Sequence, residues 1–295
     1  MNIDEQKYLE LLSGILKFGA DKEDRTGIGT KSLFGTHLRF SLENDTIPML
    51  TTKKTFSRGI IEELLFFLRG DTDTKLLEAK GVNIWKGNTS REFLDKRGLK
   101  HLPEGSLGKG YGYQWRRFGE AEGTIDEYGN EWGVKGIDQV TQVVETLKTN
   151  PNDRRMIISA WNPNQLNEMA LPPCHMMVQF YVADNKLSAQ WYQRSVDSFL
   201  GLPFNILSYA ILTRIIAQTV GMNAKEVIFS GGDTHIYKNH IDQVKEQISR
   251  EPFDFPKMKI NKELKSIADI EALEFKDFEF VDYKSHPAIK ADMAV

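Results

Sequence analysis

The sequence contains one stretch on which the rest of the fold depends, Leu171-Pro172-Pro173-Cys174-His175-Met176-Met177-Val178-Gln179-Phe180. Its two prolines restrict the backbone to extended conformations, so the segment before the cysteine is a rigid loop. The apolar run that follows, through Val182, predicts a buried strand. The thiol is therefore placed where a fixed loop enters a sheet. This position suits a nucleophile, but most cysteines are small buried hydrophobic residues, and the segment alone favours that second interpretation.

The bulk composition is that of a soluble globular protein. Of 295 residues, 40% are hydrophobic and 27% are charged, and the formal net charge is -3. This balance argues against nucleic acid as the main partner and against binding to a membrane surface. The single cysteine excludes an internal disulfide and a cysteine-rich zinc site, and we expect no metal. No run approaches about 18 apolar residues and the first residues are polar, so we expect no membrane span, no secretory signal and a cytoplasmic location.

The spacing of apolar residues predicts both helices and strands. Helices are predicted at 4–18, from a cap at Ser57 to about Leu68 with Gly70 closing it, at 91–96 behind a cap at Ser90, from Asp138 to about 149, from about Asn205 to Val220, and at 238–250. Strands are predicted at 31–41, 156–161, after Cys174 through Val182, and at 187–193, 258–260 and 278–281. No repeat or flexible linker interrupts them, so residues 1–295 are predicted to form a single domain.

Two segments have a less regular pattern. The stretch 101–137 is rich in glycine and charge and is predicted to be an irregular surface excursion, although its part 108–116 is aromatic enough to line a cleft. The stretch Ser230–Tyr237 is predicted to be a glycine turn that carries a histidine and a tyrosine. A lone histidine such as His235 is more often a surface or satisfied core residue than a catalyst.

Two adjacent glutamates in the second predicted helix differ in their expected surroundings. Glu62 lies four residues after Arg58 and is predicted to face the charged side. Glu63 lies three residues after Ile60 and four before Phe67, on the apolar stripe. A carboxylate there needs a reason, because desolvating its charge is costly. A salt-bridge or capping role and a proton-transferring role remain equally favoured.

Four arginines occur in turn-like contexts, at Arg25, Arg154, Arg155 and Arg194. Paired arginines are usually solvated, but four are more than a carboxylate needs, and they suit a phosphate dianion. Guanidinium groups near the thiol would also raise its thiolate fraction. No phosphate-binding glycine motif or metal-binding helix motif is present, so a nucleotide would be held by side chains. Asn205 near a helix start is most simply a cap.

Ordered motifs along the chain resemble the folate-dependent thymidylate synthases. They are Asp24-Arg25-Thr26-Gly27, Glu63-Leu64-Leu65, Arg154-Arg155, Leu171-Pro172-Pro173-Cys174-His175, Gln193-Arg194-Ser195-x-Asp197, Gly201-x-Pro203-Phe204-Asn205 and Gly232-Asp233-Thr234-His235-x-Tyr237. The resemblance runs from about residue 5 to Val295. It implies an α+β fold of layered type, in which helices cover a large mixed β-sheet and one sheet face forms a homodimer interface. We expect no fused dihydrofolate reductase segment.

The resemblance also implies the reaction and its catalytic residues. The enzyme would convert dUMP to dTMP, with 5,10-methylenetetrahydrofolate donating one carbon and a hydride and leaving as dihydrofolate. Cys174 would attack carbon 6 of the uracil ring and make carbon 5 nucleophilic. Glu63 would move protons, and Tyr111 would assist removal of the carbon 5 proton. The implied catalytic set is Cys174, Glu63, Tyr111, Asn205, Asp197 and Arg194.

The resemblance assigns the remaining site residues to the two substrates. The implied dUMP ligands are Arg25, Cys174, Arg194, Ser195, Asp197, Asn205, His235 and Tyr237, with Arg154 and Arg155 donated by a second subunit. Among these, the arginines and Ser195 would hold the phosphate, and Asn205 would recognise the pyrimidine edge. His235 and Tyr237 would bind the ribose hydroxyl. The implied folate contacts are Lys53 at its glutamate tail, Asp197 at its pterin, and Ile84, Trp85, Asn88, Leu200, Gly201, Phe204 and Ala294.

Two departures and two rival functions accompany this resemblance. Lys54 stands where arginine is common, and Gly110 where a bulkier residue is usual, which affects the expected folate-tail affinity and loop shape.

A dUMP hydroxymethylase, in which water replaces the hydride, would differ in how Trp85, Asn88 and the C-terminus exclude water. An inactive relative that binds nucleotide or RNA is disfavoured by the net charge and by the complete residue set.

Overall fold

The structure is a computed structural model that describes residues 2–24, 26–125 and 131–292. Arg25 and Ala294, both expected in the site, lie outside these residues.

The described helices are α1 (Ile3–Phe18), α2 (Ser57–Arg69), α3 (Lys75–Glu78), α4 (Arg91–Lys96), α5 (Tyr111–Arg117), α6 (Gln139–Thr149), α7 (Gly201–Thr219), α8 (Ile241–Ile248) and α9 (Ile267–Glu271). Short 3-10 helices lie at Glu43–Asp45, Pro163–Glu168, Lys238–His240 and Phe275–Asp277. The strands are β1 (Ala20–Lys22), β2 (Thr30–Ser41), β3 (Ala121–Ile125), β4 (Glu131–Val134), β5 (Ile157–Ser159), β6 (His175–Ala183), β7 (Lys186–Asp197), β8 (Asn223–Tyr237), β9 (Lys257–Ile260) and β10 (Phe278–Val281).

Within the described residues, six strands form one mixed sheet in the order β1-β2-β8-β7-β6-β5. Strands β7 and β8 run parallel, and the other neighbours are antiparallel. The long apolar helix α7 packs against β7 and β8 and buries most of its length there. The predicted α+β architecture, a large mixed sheet covered by helices, is confirmed.

One end of this sheet collects the polar residues that the sequence singled out. Strand β6 begins at His175, beside the end of β7. Asp197 at the end of β7 lies beside His235 of β8, and Thr30 at the start of β2 pairs with Tyr237 at the end of β8. The starts of β2 and β6 and the ends of β7 and β8 therefore meet, because antiparallel neighbours place a strand's start beside the other's end.

The two faces of the central strands differ in exposure. Val178 and Phe180 on β6 are buried in the core. Gln179 and Tyr181 alternate with them and are exposed, Tyr181 to 65%. Tyr192 on β7 continues this exposed side. One face is thus packed under helices, whereas the other presents polar and aromatic side chains.

Most predicted elements are confirmed, but the assignments at α2 need correction. Gly70 closes this helix in a left-handed conformation with φ 77°, as predicted. Ser57 is its first residue rather than its cap, and no side chain caps that end. The prediction that Glu62 faces the charged side is wrong. Glu62 is buried, and its carboxylate lies 2.6 Å from the ammonium of Lys80.

The stretch Ser230–Tyr237 is not a turn but the second half of β8, paired on both sides. Its glycines serve close packing rather than chain reversal. A Cβ at Gly231 would lie 2.5 Å from the Phe229 ring, and one at Gly232 would lie 2.8 Å from the Tyr192 hydroxyl. The prediction of a glycine turn is therefore wrong, because both glycines sit where neighbouring side chains leave no room.

The stretch 101–137, predicted as a surface excursion, includes a buried helix. Helix α5 packs against α2 and buries Tyr111, Gln114 and Trp115. Gln114 donates from Nε2 to Oε1 of Gln165 at 2.8 Å, within a set of buried amides. This helix carries Tyr111 into the interior, beside the predicted site.

No helix among the described residues combines the length and the apolar character needed to cross a bilayer.

Candidate active site

Cys174 is held between α5 and β7 through its own backbone. Its N–H donates to the hydroxyl oxygen of Tyr111 at 2.8 Å, and its carbonyl accepts from the backbone N–H of Arg194 at 2.8 Å. The residue is partly buried and directly precedes β6. Both bonds hold the backbone of Cys174, so the position from which the thiol projects is set by the fold, as the two prolines predict.

Arg194 is the predicted arginine that lies beside the loop of the thiol. Its Nε donates to the carbonyl of Pro173 at 2.9 Å and its Nη2 to that of Pro172 at 3.0 Å. The guanidinium lies 5.4 Å from the ring centre of Trp161. These contacts immobilise a positive charge next to Cys174, the arrangement that favours a thiolate.

Arg154 and Arg155 are not near Cys174 of the same chain. Both are exposed, and Gln179 donates to the carbonyl of Arg154 at 3.0 Å. Gln179 lies five residues beyond Cys174 along β6, a distance of about 16 Å at the usual rise of a strand. Within one chain the expected arginine cluster is therefore divided.

Glu63 lies on the same side as Tyr111, under an aromatic wall. Its Oε1 accepts a hydrogen bond from Nε1 of Trp85 at 2.7 Å. Burial raises the pKa of the Glu63 carboxyl to about 7, and the bond from Trp85 acts in the opposite direction. Among the described residues, Glu63 forms no ion pair, whereas its neighbour Glu62 does. A carboxyl that titrates near neutrality favours the proton-transferring interpretation over the salt bridge.

Tyr111 is enclosed by rings and linked to a histidine that the sequence did not single out for a role. Its ring stacks on His175 at 4.2 Å and on Phe67 at 4.9 Å. Burial, and then the nearby charge of Cys174, raise the pKa of Tyr111 well above its usual value. Burial lowers the pKa of His175 to about 3, and its Nδ1 lies 2.8 Å from the hydroxyl of Tyr209. Both rings are neutral at pH 7, so the Tyr111 hydroxyl can donate a proton.

Asn205 lies inside α7 and does not cap it, which corrects the simplest interpretation from sequence. Its Nδ2 donates to Oε1 of Gln193 at 2.9 Å. Gln193 is buried and donates in turn to the carbonyl of Ser195 at 3.1 Å. Gln193 was not among the predicted site residues, although the motif contains it. It fixes the orientation of the Asn205 amide, whose oxygen accepts no hydrogen bond from the described residues.

The expected ribose ligands lie on the last residues of β8. Nδ1 of His235 is 3.1 Å from Oδ1 of Asp233, and the rings of His235 and Tyr237 are nearly perpendicular, with centres 5.1 Å apart. Asp233 also accepts from Ser32 at 2.6 Å and pairs with Lys22 at 2.5 Å. In the register of β7 and β8, Ser195 lies opposite Asp233. The carboxylate of Asp233 thus orients the histidine.

The expected folate side is bordered by the segment after β7. Oδ1 of Asp197 accepts from the backbone N–H groups of Phe199 and Leu200 at 3.0 and 3.1 Å. The ammonium of Lys53 donates to the carbonyl of Phe199 and lies 3.6 Å from its ring centre. Burial lowers the pKa of Lys53 to about 7, and the charge of Asp197 opposes this. Lys53 is buried rather than extended into solvent.

Several residues that the resemblance assigns to the folate side are partly buried, and four of them pack against the core. They are Ile84, Trp85, Leu200 and Phe204, with Asn88 and Gly201 also partly exposed. A cavity of about 580 Å³ adjoins Leu200 and is closed on another side by residues 289–292. Among the described residues, no group of three or more His, Cys, Asp and Glu side chains is arranged to hold a metal ion.

The fold and this site define an enzyme in which a thiol, a carboxyl titrating near neutrality and a neutral phenol converge at the end of a mixed sheet. The sequence profile of the thymidylate synthases matches residues 6–295. The chain is 53% identical over 304 residues to the thymidylate synthase of Saccharomyces cerevisiae, covering 100% of this chain and 98% of that protein. With the human thymidylate synthase the identity is 48% over 291 residues, covering 99% and 91%. It is 51% identical over 297 residues, 100% of this chain, to the bifunctional dihydrofolate reductase-thymidylate synthase of Leishmania major, and spans 56% of that protein. The chain belongs to the thymidylate synthase family.

Proposed function

We propose that this chain methylates dUMP by covalent catalysis from Cys174. The reaction is that of its family: dUMP becomes dTMP, and methylenetetrahydrofolate is the co-substrate. The observation that carries the proposal is the arrangement of three groups around Cys174. The Arg194 guanidinium binds the carbonyls of Pro172 and Pro173, the Tyr111 hydroxyl accepts from the Cys174 N–H, and the Glu63 carboxyl lies beyond the Trp85 ring that packs against Tyr111. A ring carbon of uracil is a weak electrophile, so a thiolate rather than a hydroxyl is the suitable nucleophile.

The residues act in a sequence that balances bonds and protons. The sulfur of Cys174 forms a bond to carbon 6, and the electron pair of the 5,6 double bond moves to carbon 5 and the adjoining carbonyl. Carbon 5 then forms its bond to the one-carbon unit and loses its proton, which the Tyr111 side relays to solvent or base. Glu63, with a pKa of about 7, gives and takes protons at the carbonyl side. The one-carbon unit gives up one bond to a folate nitrogen as it joins carbon 5, and the second as a methylene group forms there. The hydride supplied with the folate then adds to this methylene group to make the methyl, and re-forming the 5,6 double bond expels the thiolate.

Asn205 is the proposed recognition residue for the pyrimidine. Uracil presents a carbonyl oxygen next to a ring N–H, and an amide offers the matching acceptor and donor. The bond to Gln193 holds the amide in one orientation, which leaves its oxygen for the ring N–H. Cytosine presents the reversed pattern, so this orientation discriminates against dCMP.

The phosphate site requires a second copy of the chain. We propose that Arg25, Arg194 and Ser195 bind the phosphate together with Arg154 and Arg155 of the partner subunit. Two observations support a homodimer: the exposed positions of Arg154 and Arg155 before β5, beside Gln179 of β6, and the exposed sheet face that carries Tyr181. A symmetric dimer packed through this face would bring each arginine pair toward the other chain's site.

The folate is proposed to lie against the half-buried wall of Trp85, Leu200 and Phe204, with Ile84, Asn88, Gly201 and Ala294 at its borders. When bound, it supplies the one-carbon unit and the hydride. The fit rests on an apolar wall beside Asp197, whose carboxylate suits pterin N–H groups, and on the ammonium of Lys53 for the negative tail.

His235 and Tyr237 would bind the ribose of dUMP. A reducing cytoplasmic compartment is proposed, because Cys174 must remain a thiol.

The test of the reaction is incubation with dUMP and methylenetetrahydrofolate, followed by absorbance of dihydrofolate and by chromatography of the nucleotide. We expect dTMP and dihydrofolate in equal amounts, and none from Cys174→Ala, which should still bind dUMP. A hydroxymethyl nucleotide without dihydrofolate would identify a hydroxymethylase instead. Normal turnover by Cys174→Ala would overturn the proposed nucleophile.

The test of the shared phosphate site is complementation between two inactive variants. Cys174→Ala and Arg155→Ala are unfolded and refolded together. Half of the dimers are then mixed, and each has one site with an intact thiol and intact arginines, so roughly a quarter of wild-type activity should return. If Arg155 acted within its own chain, mixing would restore nothing.

A further inference from the structure

His240 is a fully buried imidazole that the reaction described above does not use. Its side chain is 0% exposed, and it ends the short 3-10 helix that follows β8. Nε2 lies 2.7 Å from the backbone carbonyl oxygen of Asp292. A carbonyl oxygen only accepts, so Nε2 carries the proton of this bond. Nδ1 is buried and has no hydrogen-bond partner among the described residues.

Packing alone does not account for a histidine at this position. A leucine would fill a similar volume without an unpaired polar atom, and a buried unpaired nitrogen is unfavourable. The ring is therefore retained for the bond that Nε2 makes to the C-terminal segment.

The imidazole also contacts two parts of the site. Its centre lies 5.5 Å from the ring centre of Phe199, whose carbonyl accepts from Lys53. On its other side, the ring of Tyr237 stands nearly perpendicular to it at 5.8 Å. His240 thus joins the proposed ribose side, the proposed folate side and the C-terminal segment in one cluster of rings.

The bond from His240 is the last polar anchor of the described C-terminal segment. Upstream, the backbone N–H of His286 donates to the carbonyl of Thr51 at 2.7 Å, and Arg250 donates to the carbonyl of Pro287 at 2.7 Å. From 288 to 292, among the residues that the structure describes, the only hydrogen bond is the one from His240. Residues 289–292 face Leu200 across the cavity of about 580 Å³.

We propose that His240 is a positioning residue that docks the C-terminal segment as a wall of the folate side. The proposal rests on the function proposed above, because it assigns the segment to the folate rather than to dUMP. Removing the donor should release residues 289–292 while the rest of the fold, which is anchored elsewhere, stays in place.

The experiment compares His240→Leu and His240→Asn, which lack a donor at the Nε2 position, with His240→Gln, whose amide nitrogen takes that position. Trypsin cleavage after Lys290, an exposed residue within the segment, reports its undocking without any reference to activity. The exposed His101→Leu is the matched control. We expect cleavage about tenfold faster in the Leu and Asn variants, within about threefold of wild type in the Gln variant, and unchanged in the control, since one net hydrogen bond corresponds to about a factor of ten.

Activity gives an independent second measurement. The KM for methylenetetrahydrofolate should rise about tenfold in the donorless variants, with dUMP affinity changed less than about twofold. Unchanged cleavage and an unchanged folate KM in folded His240→Leu and His240→Asn would overturn the proposal. If wild type itself formed no dTMP, the proposed function would fail, while the cleavage rates would still test the docking. Should His240→Leu not fold, the Asn and Gln pair decides.

Discussion

The indole of Trp85 donates a hydrogen bond to the carboxyl of Glu63 at 2.7 Å, and this bond opposes the effect of burial on Glu63. Burial raises the pKa of the carboxyl, whereas the indole N–H stabilises the carboxylate and lowers it. The balance leaves a pKa of about 7 for Glu63. A group with this pKa is suited to both giving and taking a proton at physiological pH.

Trp85→Phe should therefore move the pH dependence of turnover to higher pH. Removing the N–H removes a contact that favours the charged form, so the pKa of Glu63 rises and the ionised form appears later in a titration. The measurement is kcat against pH under saturating substrates. Glu62→Gln is the control, because it alters the adjacent, ion-paired carboxylate without touching the indole. If the midpoint of the kcat–pH profile is the same in Trp85→Phe as in wild type, the titration seen in that profile does not belong to Glu63.

Tyr111→Phe should lower kcat by about 10²- to 10⁴-fold, the usual range for loss of a general acid or base. The phenyl ring keeps the stacking on His175 and Phe67, so the fold and dUMP affinity should persist. The variant also leaves the N–H of Cys174 without its hydroxyl partner. Tyr113→Phe, two residues further along α5, is the control, since that hydroxyl donates to the carbonyl of Glu120. Rates are compared in single turnovers, and equal rates for the two variants would exclude a proton role for Tyr111.

Lys53 predicts a specific dependence of stability on pH. Burial lowers the pKa of its ammonium to about 7, below the value of about 10.4 in an unfolded chain. Between these values the unfolded state binds more protons than the folded state, so this group makes stability rise with pH across the window from about 7 to about 10.

Lys53→Met should consequently flatten this rise and stabilise the protein at pH 7, because the cost of burying the ammonium is removed; about 1–4 kcal/mol is the range found when buried ion pairs are replaced by apolar groups. Its folate KM should increase, because the proposed partner of the glutamate tail is lost. Urea unfolding at several pH values gives the stability, with Lys54→Met, an exposed neighbour, as the control. An equally steep rise in Lys53→Met and in wild type would refute a depressed pKa of Lys53.

Glu5 in α1 should be among the most sensitive positions for stability. Its carboxylate is fully buried and accepts from the backbone N–H and hydroxyl groups of both Thr51 and Thr52, at 2.6 to 3.0 Å. Glu5→Ala leaves these donors unpaired and should cost about 3–5 kcal/mol. It should also raise the folate KM, since the same turn carries Lys53. Urea unfolding of Glu5→Ala is compared with that of Glu10→Ala, an exposed change on the same helix; similar losses in both would contradict this role.

Local patterns in the sequence predicted six of the described helices, though not α3, α5 or α9, and most strands, because the responsible contacts lie within a few residues. Gly70 ends α2 in a left-handed conformation, and the side chain of Asp138 caps α6 by accepting from Thr141. The lone cysteine before a strand was likewise visible, since prolines fix the local backbone.

The remaining features depend on contacts between distant segments. Glu62 is buried because Lys80, 18 residues later, reaches it, and no local periodicity contains that partner. The glycines of β8 indicated a turn, but both are required by the side chains of neighbouring strands. Gln193 and His240 carried no strong signal, because their importance lies in which buried atom they face. Motif resemblance alone supplied the expected roles of Arg154 and Arg155, because both are exposed and distant from Cys174 of the same chain.

Asn205→Asp should change which pyrimidine the enzyme prefers. The amide donates to Gln193, and its oxygen is left to accept from the N–H of uracil. A carboxylate offers acceptors only, so it meets the oxygen of Gln193 and the carbonyl of uracil unfavourably, whereas the amino group of cytosine can donate to it. We expect kcat/KM for dUMP to fall by about 10²- to 10⁴-fold and the ratio of dCMP to dUMP turnover to rise, the scale seen when buried polar groups are mismatched. Turnover of both nucleotides is measured by chromatography, with Asn164→Asp, an exposed change, as the control. An unchanged preference in Asn205→Asp would mean that the pyrimidine is recognised by another group, because no rotation of a carboxylate restores the lost donor.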